Sequence, residues 1–302
     1  MLCAYPYMKN PNAVDEGVKP LKKKDRDDMT PFPCGKCLPC KIHYRKVWSH
    51  RILLEASTTP DTSYVTFTYD DDKVPQQTMH DGITRQVLHY KDMQDCIKRL
   101  RKEIYPRKLR YYISGEYGDQ SGRPHYHAAL FGISCLEKNL LKEGWTDGFI
   151  QIGDLNIKTA NYIAGYIMKK MTKPTDPRLN GKPPEFSRMS KGSTGGLGIK
   201  AIEQIGEALN KDRYFEPYII ESLKYGKKSL PLGRYLSDKL SEIIGISKEE
   251  RDAKFILFQE EIFNKHLTVG KHYYYNVVQE SDHDRMVQER KFKIFNSKRN
   301  KV

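Results

Sequence analysis

The tightest constraint on the fold is a pair of strand-like runs, Leu109–Gly118 (LRYYISGEYG) and Pro124–Gly132 (PHYHAALFG), separated only by Asp119, Gln120, Ser121, Gly122 and Arg123. A connector that short, made of Gly and polar residues, permits a reversal and little else, so the two runs pair as an antiparallel hairpin. Side chains alternate faces along a strand. His125 and His127 therefore point the same way, about 7 Å apart along the strand, while Tyr126 enters the opposite layer. Two imidazoles are an incomplete ligand set for a hydrolytic metal, and the partner strand brings Glu116 alongside as a candidate third. Imidazole plus hard oxygen, with coordination positions left open, suits Mg²⁺ or Mn²⁺ acting as a Lewis acid on a phosphate. A His-x-His pair alone is also a common feature of ordinary hairpins, so the assignment needs a second feature.

That feature is the helix expected over Thr159–Thr172, with Thr159 as its N-cap. At about 100° per residue, Tyr162, Tyr166, Lys169 and Lys173 fall within an arc of about 60°, and Ala160, Ile163, Ala164, Ile167 and Met171 cover another face. Two phenols beside two ammoniums, away from the apolar stripe, are candidate nucleophiles next to positive charge. A phenol with its ordinary pKa near 10 is a weak nucleophile, and a base, a cation or a metal-polarised target is needed before it attacks a phosphodiester.

The rest of the chain frames these segments. Residues 1–58 read as an irregular basic arm ending in a short amphipathic helix from Tyr44 to Glu55, and residues 59–175 as the catalytic core. A Pro/Gly-rich mobile loop follows at 176–200, then a basic, mostly helical region over 201–302 with helices at Ile199–Leu209, Leu236–Ile244 and Lys248–Asn264. Tyr64–Tyr69 (YVTFTY) reads as a strand ending at an acidic turn, Gly148–Leu155 as another. Met93, Ile97, Leu100 and Ile104 form the apolar stripe of a helix. KGSTGGLGIK (Lys191–Lys200) lacks the strand and the residue order of a phosphate-binding P-loop and reads as a flexible loop.

Fifty-two Lys and Arg against 38 Asp and Glu leave a net charge of +14 in 302 residues, which points to a polyanionic partner, nucleic acid above all. The 20 tyrosines and 11 phenylalanines add faces on which bases can stack. No stretch approaches the roughly 20 apolar residues of a membrane span. Met1–Met8 reaches Lys9 without a hydrophobic run, so secretion is not encoded. Of the six cysteines, Cys34, Cys37 and Cys40 crowd into seven residues. In a chain without an export signal this favours metal over a disulfide frame. A structural Zn²⁺ fits, with Cys3 or His43 as fourth ligand, while an iron-sulfur cluster or reduced thiols stay open. Cys96 and Cys135 read as packing residues.

Taken in order, YVTFTYDDDKVP (Tyr64–Pro75), SGEYGDQSGRPHYHAALFG (Ser114–Gly132) and NYIAGYIMKK (Asn161–Lys170) resemble the HUH superfamily of rolling-circle replication initiators and relaxases. The tyrosine doublet, RPHYH and the early CGKCLPC make the chain most similar to the replication initiators of microviruses, the gokushovirus type especially. The likeness is strongest from Cys34 to Lys170. SLPLGRYLSDKL (Ser229–Leu240) also looks similar to a segment of those proteins. The resemblance implies an α+β fold with a central antiparallel sheet of the RRM-like HUH type, in which Tyr64–Tyr69 and the His hairpin are neighbouring central strands and the tyrosine face overlooks the metal. It implies a metal-dependent endonuclease and strand transferase: His125, His127 and Glu116 hold the divalent ion, and Tyr162 and Tyr166 alternate as nucleophiles on single-stranded origin DNA. Lys169 neutralises charge there. Host helicase and polymerase are the expected partners, and the cytoplasm of an infected bacterium the setting. Which tyrosine attacks first is not set by the sequence. Two other readings stand beside this one: a relaxase or transposase of the same superfamily, and a noncatalytic zinc-containing protein that binds or packages single-stranded DNA.

Overall fold

A computed structural model of the chain describes residues 7–9, 30–118, 121–169, 175–191, 195–254 and 257. The chain divides into two compact units, Met1–Tyr44 with Gly245–Val302, and Arg45–Ile244. In the first unit, β1 (Tyr7–Lys9) pairs antiparallel with β2 (Thr30–Phe32), and residues 248–254 are helical. The expected helix over Lys248–Asn264 otherwise falls outside the described residues, as does the basic end of the chain. Helix α1 (Leu38–Ser57) starts earlier than the Tyr44 that apolar spacing predicts, directly after the cysteine-rich turn.

The second unit is built on β3 (Thr62–Tyr69), a small hairpin of β4 (Gln76–Thr78) and β5 (Thr84–Gln86), α2 (Tyr90–Glu103), β6 (Arg110–Tyr117), β7 (Pro124–Phe131), α3 (Lys138–Gly144), β8 (Gly148–Gly153) and α4 (Ile157–Lys169). It continues with β9 (Phe186–Met189), α5 (Ile199–Lys211), a hairpin of β10 (Ser222–Tyr225) and β11 (Lys228–Pro231), and α6 (Gly233–Ile243). Five strands form one antiparallel sheet in the order β8-β3-β7-β6-β9. The His hairpin and Tyr64–Tyr69 are indeed neighbours at its centre, and the fold is α+β. Among the described residues no helix is long and apolar enough to cross a membrane.

Period-two burial divides the sheet into two faces. Val65, Phe67 and Tyr69 of β3, Ile113 of β6 and Tyr126, Ala128 and Leu130 of β7 bury one face against Met93, Cys96, Ile97 and Leu100 of α2 and Leu141 of α3. Polar atoms within this layer are paired: the Tyr69 hydroxyl donates to Asp92 at 2.7 Å, and the Tyr126 hydroxyl takes the His89 amide at 2.9 Å, so the start of α2 is tied to the sheet centre. The other face changes character along the strands. Towards one end, Tyr112, Ala129 and Phe131 pack under Ile52 and Leu53 of α1 and Ala160 and Ile163 of α4. Towards the other, the same face carries Thr66, Thr68, Glu116, His125 and His127, in the register Thr66↔His127↔Ser114 and Thr68↔His125↔Glu116.

Several expectations are corrected. Helix α4 begins at Ile157, and its N-cap is Asn156, whose Oδ1 accepts from the amides of Lys158 and Thr159. Thr159 is the reciprocal partner, its hydroxyl accepting from the Asn156 amide at 2.8 Å, a capping box in which Asn and Thr exchange bonds. The segment read as a mobile loop supplies edge strand β9, because Gly115 of β6 leaves room for Phe186: a Cβ at Gly115 would lie 2.8 Å from that ring. Hairpins β4–β5 and β10–β11 were not legible, since both are short and largely exposed. Cys96 is buried in the core as expected, but Cys135 is partly exposed and its thiol donates to Asp154.

The described part of the segment read as a flexible Gly-rich loop is anchored instead. Buried Glu55 of α1 ion-pairs with Arg110 of β6 at 2.7 Å and accepts the amide of Gly198 at 2.8 Å, while Arg51 donates to the carbonyl of Leu197. Gly198 has φ +84, and a Cβ there would press on Leu54 and Leu236, so the approach needs glycine twice over. Glu55→Ala leaves a guanidinium and an amide without their shared carboxylate. It is expected to cost about 3 kcal/mol of stability in urea unfolding, with the α1 helical signal retained.

Candidate active site

Glu116 and His125 face each other directly across β6 and β7, and His127 lies two residues on, so one edge of the hairpin delivers all three side chains to the same face. Their nearest ligand atoms lie within 4.8 Å of one another. Nε2 of His125 and Nε2 of His127 each stand 3.1 Å from the same oxygen, Glu116 Oε1. Adjacent ligands of an octahedral Mg²⁺ with bonds near 2.1 Å stand about 3 Å apart, so the donor set and its spacing fit a hard divalent ion. The three residues proposed from the sequence are therefore brought together.

Glu116 and His127 are buried, and His125 is half-buried. Burial opposes ionisation of Glu116, but the hydrogen bonds and charges of the two imidazoles outweigh it and hold the carboxyl below its usual range. Burial lowers the His127 pKa from 6.5, against an upward pull from Glu116. Both effects favour the forms that bind cations, carboxylate and neutral imidazole. The far nitrogen of His127, Nδ1, lies 3.0 Å from Thr66 Oγ1 and 3.2 Å from the Tyr64 hydroxyl, and those two oxygens are 2.8 Å apart. Hydroxyls either donate or accept, so this pair supports both tautomers of His127: Nε2–H towards Glu116, or Nδ1–H towards Thr66 with the Nε2 lone pair open to a cation.

The α4 tyrosines lie over this group, but not equivalently. Tyr166 stacks face to face on the His127 ring, centroids 4.6 Å apart and planes at 8°, and is only 6% exposed. Tyr162 meets His127 edge-on at 5.3 Å and Tyr166 at 5.1 Å, and is 38% exposed. Burial, then the Glu116 charge and the neighbouring Tyr162 phenol, push the Tyr166 phenol far above its ordinary range, while burial raises Tyr64 to about 12. An open cleft of about 360 Å³ runs past Tyr162, His125 and His127 towards Thr68, Gln151 and Arg123. Arg123 donates to the carbonyl of Tyr69 and to the exposed carboxylate of Asp71.

Lys169 lies in the last turn of α4; its side chain is outside the described atoms, and Lys170, Lys173 and Cys3 are outside the described residues. The sulfurs of Cys34, Cys37 and Cys40 form a separate group within 4.8 Å, which does not include His43. Sequence reasoning missed Tyr64, Thr66, Thr68, Gln151 and Arg123. The alternation of YVTFTY places Tyr64, Thr66 and Thr68 on one face, but only the pairing of β3 with β7 makes that the histidine face.

The segment bearing this geometry coincides with a known family. The family model described as replication-associated protein ORF2 matches residues 62–174, from the first strand of the sheet past the tyrosine helix. Over 258 residues the chain is 30% identical to replication-associated protein ORF2 of Spiroplasma virus 4, covering 76% of each. It is 27% identical over 285 residues to replication-associated protein VP4 of Bdellovibrio phage phiMH2K, covering 87% of this chain and 84% of the relative. To replication-associated protein ORF4 of Chlamydia phage 1 it is 25% identical over 241 residues, 72% of this chain and 56% of the relative. The chain belongs to this family of phage replication-associated proteins, in keeping with its resemblance to microvirus initiators. No solved structure matches it.

The electrostatics of the site make a measurable prediction. In a chelated, metal-free sample, NMR titration should find His127 still neutral as pH falls past 6.5, because burial disfavours the imidazolium. Glu116→Gln removes the charge that opposes this effect and should move the His127 midpoint lower still.

Proposed function

We propose that this protein initiates rolling-circle replication by nicking single-stranded viral origin DNA. A tyrosine oxygen attacks the scissile phosphorus and the bond to the 3′ oxygen breaks, leaving a 5′-phosphotyrosyl protein and a 3′-OH that primes synthesis. One observation carries this reading: a Glu-His-His group with metal-ligand spacing lies directly under two tyrosines one helical turn apart, at the wall of an open cleft.

Mg²⁺ or Mn²⁺ held by Glu116, His125 and His127 would draw charge from a non-bridging phosphate oxygen and make the phosphorus more electrophilic. The chain's own side chains do the rest. Thr66 and Tyr64 hold His127 in the tautomer whose Nε2 faces the ligand group. Arg123, already paired with the solvent-facing Asp71, exchanges that carboxylate for a backbone phosphate and sets the strand in the cleft. Tyr162, exposed and lining the cleft, attacks first and loses its proton to water there. Tyr166, stacked on His127 and closed off from solvent, serves the second cleavage, after its ring leaves the imidazole. Lys169, one turn beyond Tyr166, neutralises the phosphate and phenolate. The phosphotyrosine keeps the energy of the phosphodiester, so the released 3′-OH reseals the displaced strand into a circle without ATP. The net charge of +14 supports a polyanionic partner. Host helicase and polymerase would open and copy the duplex, in the cytoplasm of the infected bacterium.

With labelled origin oligonucleotide and Mn²⁺, the wild-type protein should yield a denaturant-stable protein–DNA adduct. Failure to trap one would favour a noncatalytic binding protein. Tyr162→Phe should abolish the adduct, whereas Tyr166→Phe should form it and fail to release circular product; an adduct in the double variant would remove both nucleophile assignments. Separately, Thr66→Val should weaken Mn²⁺ binding about tenfold by calorimetry, because the imidazole loses a partner that orients it.

A further inference from the structure

A second group of metal-ligating side chains takes no part in the proposed nicking reaction. The sulfurs of Cys34, Cys37 and Cys40 lie within 4.8 Å of one another, and four ligands around Zn²⁺ with bonds near 2.3 Å stand about 3.8 Å apart. Small side-chain adjustments bring the three sulfurs to three corners of such a tetrahedron. The backbone around them is arranged for thiolate. Gly35 has φ +71, and the turn it makes directs the amides of Lys36 and Cys37 to Cys34 Sγ at 3.4 and 3.3 Å. Amide donors favour the charged sulfur over the thiol. Cys37 immediately precedes α1 and Cys40 lies in its first turn, where the helix dipole also favours negative charge.

Packing points the same way. Cys37 and Cys40 are 9% and 2% exposed, and among the described residues the apolar side chain packed on them is Cys34. Three thiols buried against one another make a poor hydrophobic core, since each contributes little apolar surface. A soft dication accounts for their convergence.

We infer that Cys34, Cys37 and Cys40 hold a structural Zn²⁺ that clasps the turn before α1 to the helix. The fourth ligand comes from His43, one helical turn after Cys40, or from Cys3. Four protein ligands close the coordination shell, so this ion organises the chain and takes no part in chemistry. The site is independent of the Glu116, His125 and His127 group in ligand type, thiolate against imidazole and carboxylate.

The test uses the full chain, purified from zinc-supplemented medium and dialysed, with metal content measured by plasma mass spectrometry. About one zinc per chain is expected. The metal should persist in His125→Ala/His127→Ala and be lost in Cys37→Ser/Cys40→Ser. If the cysteine variant fails to fold, titrating the wild type with an organic mercurial carries the test, zinc being released in step with thiol modification. Co²⁺ substituted for zinc should show thiolate charge-transfer bands and a tetrahedral spectrum. Zinc absent from folded wild type, zinc retained after all thiols are blocked, an octahedral Co²⁺ spectrum, or the visible chromophore of an iron-sulfur cluster would each overturn the inference. The adduct assay reads a different site, so failure of one proposal leaves the other standing.

Discussion

A single carboxylate oxygen, Glu116 Oε1, receives both imidazoles at 3.1 Å, and this convergence depends on the register of one strand pair. A slip by one residue would turn Glu116 and both histidines to the opposite face, into the apolar layer beneath α2. The register is held from that buried side. Tyr126, between the two histidines, is locked by its hydroxyl to His89 and Tyr69, and Gly115 accepts the Phe186 ring of the edge strand. The chemistry-bearing face is thus positioned by contacts made on the other side of the sheet.

That arrangement places charge where water is scarce, and its balance determines what the site can do. A buried carboxylate is costly unless hydrogen-bonded, and the two imidazoles lower that cost without removing the negative charge. The remaining charge raises the Tyr166 phenol and leaves the exposed Tyr162 as the more accessible oxygen. The two tyrosines are one turn apart on one helix, yet the sheet beneath gives them different environments. Chemical equivalence in the sequence is therefore lost on packing, and an order of use follows from exposure.

Much of the fold could be read from residues alone, because the elements around the site have strong local signals. The short Gly-containing reversal specified the hairpin, the alternation in YVTFTY specified its neighbour, and the stripe of Met93, Ile97 and Leu100 specified α2. What could not be read had weak local signals. Strand β9 sits in a Pro- and Gly-rich stretch and forms because β6 offers it an edge, and the Gly-rich turn at Gly198 looks flexible until Glu55 is placed under it. The start of α4 was misplaced by two residues because Asn156 and Thr159 are both able caps, and only geometry shows which precedes the helix.

The sequence by itself determined the ligand types, their shared strand face and the common helical face of the two tyrosines, because periods of 2.0 and 3.6 residues are local properties of a chain. Tertiary structure decided that these two faces meet, that Tyr64 and Thr66 stand behind His127, that Arg123 reaches the cleft, and that Tyr162 is open while Tyr166 is shut. Those are long-range contacts between strands and helices distant in sequence, and no local periodicity encodes the distance between them.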